Sequence, residues 1–161
     1  MARAGSLSAK YGCREFPLHT DTAFWPIPVR FLVLRVIGDT RRCSTVRLFE
    51  DLFMRRDELF RLAQRSVWLA RTGWTSFYCS MMFRSESSVL WRYDSNCMFP
   101  ANSAAKQLEA PLRAITSTEF GEQIKWSGSN AVIFSNWTVL HGRCAAPEAE
   151  GERIVERIYV R

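Results

Sequence analysis

Histidine is nearly absent from this chain: two residues, His19 and His141, in 161. Glycine is also sparse, and the 8 that occur form no phosphate-binding loop. No G-x-S-x-G turn or reactive-cysteine context accompanies the histidines, so nucleophilic hydrolysis is poorly supported. The 5 cysteines, at positions 13, 43, 79, 97 and 144, are an odd set without a C-x-x-C pair. That spacing suggests neither a disulfide framework nor a zinc knuckle, and it reads as a reduced, cytoplasmic protein. Long apolar runs are missing as well. The oiliest stretch, VRFLVLRVIG, is broken by Arg35 well short of a membrane span. The opening MARAGSLSAKYG lacks the apolar centre of a signal peptide, so no membrane partner is expected and the NWT sequon at 136–138 is read as coincidence. There is no internal repeat, low-complexity tract or Pro/Gly-rich linker.

What is present is globular. A composition 47% hydrophobic and 13% aromatic over 161 residues suffices for one domain with a real core. Residues 1–12 read as a loose N-terminus and 13–161 as a single domain. A formal charge of +6 favours anionic partners, from a small carboxylate to a nucleic acid. Arg41, Arg42, Arg55 and Arg56 beside six tryptophans raise a basic nucleic-acid-binding reading. No recognisable binding motif supports it, and the aromatics fall at core-like positions, so no nucleic-acid partner is expected.

Periodicity predicts a mostly β protein with flanking helices. VRFLVLRVI (29–37), two runs around Gly73 within 66–83, SVLWRYD (88–94), AVIFSNWTVLH (131–141) and RIVERIYVR (153–161) read as strands, with a turn at SGSN (127–130). TVRLFEDLFMRRDELFRLA (45–63) places Leu48, Phe49, Leu52, Phe53, Leu59, Phe60 and Ala63 at helical spacing, predicting one amphipathic helix broken near Arg56. Its acidic residues Asp51, Asp57 and Glu58 are a solvated face. A second helix is predicted over 102–115, where Pro111 begins a turn or kinks it. The sum is an antiparallel β fold with helices packed outside.

The scarce histidines then acquire meaning. On a strand, alternate side chains share a face, so His19 and Asp21 point together. His141 stands 122 residues on (141 − 19), at the end of another predicted strand. Two imidazoles and a carboxylate on one side of a cation leave positions open, which suits non-haem Fe(II) oxygen chemistry. Beyond His141, Arg153 and Arg157 lie on one face of the last predicted strand, and an inward guanidinium there needs an anion.

These segments resemble the Fe(II)- and 2-oxoglutarate-dependent dioxygenases of the taurine dioxygenase and clavaminate synthase group. LHTDTAFWPIP is similar to that family's H-x-D segment, SNWTVLHGR to its distal-histidine segment, and RIVERIYVR to its arginine strand. Three matches in the same order cover about residues 17–161. The resemblance implies a double-stranded β-helix, or jelly roll, in a small or truncated version. It implies iron held by His19, Asp21 and His141, with 2-oxoglutarate and O2 as co-substrates. Arg153 would grip the far carboxylate of 2-oxoglutarate, assisted by Thr45, 26 residues after His19 (45 − 19). Arg157 would meet an anionic group of a small-molecule substrate, with Phe24 and Trp25 lining the mouth or serving as ordinary rim aromatics. The expected reaction hydroxylates or otherwise oxidises a small carboxylate- or amine-bearing molecule, releasing succinate and CO2.

Two departures qualify the resemblance. Ser135 stands where many members carry Asp, which would remove a hydrogen bond that orients the site. Only 18 residues precede His19, so three readings stay open. They are a minimal enzyme, a chain completed by a partner subunit or a second copy, and a remnant that keeps the fold as an inactive binding module.

Overall fold

The structure, a computed structural model, describes residues 10–37, 43–84, 89–126, 131–145 and 154–161. Arg41, Arg42, Arg153 and the turn expected at 127–130 lie outside the described residues.

Alternation of apolar and polar residues builds the central strands. In β2 (Phe31–Ile37), Leu32, Leu34 and Val36 are buried while Arg35 and Ile37 are exposed. This strand is the middle of three, hydrogen-bonded antiparallel to β10 (Ala131–Ser135) and β12 (Ile154–Val160). Facing it is a four-stranded sheet in the order β1 (Phe16–His19), β11 (Val139–Arg143), β3 (Cys43–Leu48) and β9 (Glu122–Lys125). Leu32, Leu34, Val36 and Trp126 close the space between the two sheets, with Ile124, Phe134 and Val155 packed against them. The indole N–H of Trp126 donates to Ser44 Oγ at 3.0 Å, so the one polar atom of that ring is satisfied inside the core.

The other face of the four-stranded sheet carries Leu18 and Leu140 into a larger core with Phe49, Leu52, Trp68, Trp91, Tyr93, Leu108 and Leu112. Helices supply much of that second core from outside. The architecture is therefore a jelly roll with helices on one flank, as predicted. The open side is β12, where the inward-facing Tyr159 remains 43% exposed.

Two local predictions are corrected. The stretch predicted as one helix from 45 to 63 begins as a strand: Thr45–Leu48 belong to β3, paired with β11 and β9. The helical part is split into α1 (Phe49–Phe53) and α2 (Asp57–Arg65). Arg55, with φ of 59°, makes the break, one residue before the expected position. The second correction is Pro111, which lies inside the continuous helix α3 (Ser103–Ile115) rather than beginning a turn. Asn102 caps that helix, its side chain accepting from the Ala105 N–H at 2.9 Å.

Candidate metal centre

His19 is the last residue of β1, and β1 pairs with β11 so that His19 lies directly opposite His141. Opposed residues of an antiparallel pair share a face. The two imidazoles accordingly meet on the inner side of the four-stranded sheet, their ring centroids 4.3 Å apart. Phe16 packs edge-on against His19 and Phe134 lies against His141, fixing both rings between aromatic walls.

Asp21 arrives differently from the prediction. It is not on a strand, because β1 ends at His19 and the chain turns at residues 21–24. Its backbone is held by Asn136, whose side-chain oxygen accepts from the Asp21 N–H and whose amide donates to the Asp21 carbonyl, both at 2.9 Å. The same amide also donates to the Val29 carbonyl at 2.9 Å. Thr22 takes a left-handed conformation, φ 56°, that a β-branched residue seldom adopts, and its hydroxyl accepts from the Val29 N–H at 3.0 Å. Arg92, buried on the far side, donates to the carbonyls of Ala23, Trp25 and Pro26 at 3.3, 2.9 and 2.8 Å. The turn that aims Asp21 is thus built by side chains more than sixty residues away in sequence.

The outcome is one compact donor set. The Asp21 carboxylate lies 3.8 Å from His19 Nε2 and 3.6 Å from His141 Nε2. All three ligand atoms fall within 4.8 Å of one another, and all three residues are buried. The carbonyl of Pro17 can only accept, so the 3.0 Å contact puts a proton on His19 Nδ1 and turns Nε2 toward the carboxylate. Burial, with neighbouring His19 and Arg157 acting in the same direction and Asp21 opposing, holds the His141 imidazole well below its ordinary range. Burial by itself would raise the Asp21 carboxyl. The adjacent imidazoles of His19 and His141 and the guanidinium of Arg157 more than reverse this and hold it below the ordinary carboxylate range.

Neither Nε2 has a hydrogen-bond partner within the protein. Buried polar atoms are seldom left in that condition. A buried carboxylate facing two imidazole Nε2 atoms that bond to nothing else is an arrangement a shared cation satisfies. The separations are close to twice a metal–nitrogen distance, about 4 Å, which lets the three atoms share one ion. The donor set fits a transition metal such as Fe(II), with nitrogen, oxygen and nitrogen ligands on one side.

Arg157 reaches the centre from β12. Its Nη1 donates to both oxygens of Asp21, at 2.9 and 3.1 Å. Two residues along the same face, Tyr159 stacks edge-on against Trp25 with centroids 5.9 Å apart. Phe24 follows, packed on Trp25 and 39% exposed at the rim. Thr45 is not brought to this group. It pairs with Gly142 instead of His141, which turns its side chain to the opposite face of the sheet, where Oγ1 lies 3.2 Å from Cys144 Sγ. Asn136, Arg92 and Tyr159 are the contributors that sequence reasoning missed; only a lone Asn within the apolar IFSNWTVL hinted at the first. A cavity of about 480 Å³, lined by Arg47, Asp51, Glu122, Ile124 and Phe134 among others, includes none of the three candidate ligands, although Phe134 packs against His141. The larger depression, about 600 Å³ along Arg71–Ser76, contains none of these residues.

No family model matches the chain, and no curated protein matches it by sequence. Solved structures do. An asparagine oxygenase in complex with Fe(II), hydroxyasparagine and succinate superposes with a TM-score of 0.75 at 15% identity, covering 92% of this chain and 50% of its own. PvcB from Pseudomonas aeruginosa gives 0.68 at 19% identity, over 91% and 57%. The fold is that of the non-haem iron oxygenases. A third such oxygenase, OrfP in complex with Fe, gives 0.68 at 14% identity over 91% and 51%. The chain therefore spans about half the length of these oxygenases while carrying a His–Asp–His group inside the shared fold.

Proposed function

We propose that this protein is a non-haem Fe(II), 2-oxoglutarate-dependent oxygenase acting on a small carboxylate- or amine-bearing molecule. One observation carries the reading: three buried donors from distant parts of the chain converge, with both histidine Nε2 atoms lacking any other partner. His19, Asp21 and His141 would hold the iron. Bound there, iron supplies the oxidative decarboxylation of 2-oxoglutarate by O2 to succinate and CO2, coupled to oxidation of the substrate. The protein's part is to orient and to exclude water. Pro17 and Phe16 fix the His19 ring, Asn136 and Arg92 fix the turn of Asp21, and Trp25 with Tyr159 forms an apolar wall at the mouth. Carboxylate groups would be met by the arginines that follow His141. Arg153 is assigned the far end of 2-oxoglutarate by its position in sequence. Arg157, already beside Asp21, is assigned the substrate anion.

A second reading, a fold retained as a binding module without turnover, is favoured by the exposed mouth at Tyr159. A water-accessible centre couples oxidation poorly. Incubation of the purified chain with Fe(II), 2-oxoglutarate and O2 separates the two. The enzyme reading expects succinate in wild type and none in Asp21→Ala; iron-loaded wild type that releases no succinate would favour the module.

A further inference from the structure

Cys43 opens β3, and Cys144 follows the last residue of β11. The two strands are antiparallel neighbours, with His141 against Val46, Gly142 against Thr45 and Arg143 against Ser44. One more step along that ladder sets Cys144 opposite Cys43. Opposed Cα atoms in an antiparallel pair lie about 4.5–5.5 Å apart, within the range of about 4.4–6.8 Å that a disulfide spans. Opposed side chains also share a face, so the two thiols project from the same side of the ladder. Around them, Thr45 Oγ1 lies 3.2 Å from Cys144 Sγ, and Gln123 Nε2 donates to the same sulfur at 3.6 Å. Both cysteines are partly exposed, so a small reagent can reach them. Burial and the neighbouring Cys144 raise the Cys43 thiol, which slows attack by that sulfur without changing what it can form.

We propose that Cys43 and Cys144 are a site of reversible oxidation, closing a disulfide between β3 and β11 with glutathione disulfide as oxidant. One protein thiolate attacks a sulfur of glutathione disulfide, breaking its S–S bond, releasing one glutathione and leaving a mixed disulfide. The second protein thiolate attacks the protein sulfur of that bond, forming the Sγ–Sγ link and expelling the second glutathione. Two cysteine thiols give up two electrons and two protons, and two glutathiones take them. The new bond fixes the pairing of β11 three residues beyond His141 (144 − 141), so it stiffens the strand that carries a candidate ligand. It does so whether or not a metal binds.

The test uses the full, folded chain incubated with glutathione disulfide, followed by intact mass, thiol count and peptide mapping. The expected result is a fall from five thiols to three, a mass lower by two hydrogens, and a single cross-linked peptide joining residues 43 and 144. The unfolding temperature should rise by about 5–10 °C and return on reduction, because the bond closes a long loop. Cys43→Ser should stop at a glutathione adduct on Cys144. Five thiols retained by wild type, or a bond joining any other pair, would overturn the proposal.

Discussion

Asn136 does more for the centre than its place beside a strand end suggests. Fully buried, it holds Asp21 through both backbone atoms and ties Val29 to the same point. Truncation to alanine strands a buried N–H and two buried carbonyls at once. Asn136→Ala should therefore cost about 2–4 kcal/mol in denaturant unfolding. It should also weaken metal binding about 10–100-fold, the usual effect of losing a partner that orients a ligand. Stability lost with metal affinity intact would mean that Asn136 holds the turn but not the carboxylate. Ser135, by contrast, pairs with Phe31 and faces away from His141, so the hydrogen bonds that orient the site come from its neighbour.

At the scale of elements, α3 carries a defect that can be removed. Pro111 occupies the ninth of 13 helical positions, where it cannot donate to the carbonyl of Gln107 and its ring crowds that turn. Pro111→Ala should raise stability by about 1–2 kcal/mol, read from the denaturation midpoint at unchanged slope; a fall would show that Pro111 is needed for packing. The elements were unequally legible in the sequence. Strand β2 declared itself because every second residue, Leu32, Leu34 and Val36, is apolar and buried. Thr45–Leu48 did not, since Val46, Leu48 and Phe49 fit a helical and an extended pattern equally, and only pairing with β9 and β11 decides. His19, Asp21 and His141 were readable as a spaced motif. Asn136 and Arg92 were not, because their partners are backbone carbonyls and an amide brought near by the fold, and a carbonyl leaves no mark in a sequence.

For the whole molecule, the centre is a joint between distant parts of the chain. His19 and Asp21 come from β1 and the turn after it, His141 from β11, and Arg157 from β12. A cation bound there contacts only the folded chain, so it should add about 2.7 kcal/mol of stability at a hundredfold excess over its dissociation constant. A chelator should remove that increment.

The most direct measurement is a calorimetric titration of the intact chain with Co(II), an air-stable substitute for Fe(II), on wild type and His141→Ala shown to be folded by circular dichroism. The expected result is one ion bound per wild-type chain and none by His141→Ala. Folded wild type that binds no ion, or binding undiminished by the loss of His141, would contradict the convergence of these three side chains on one metal.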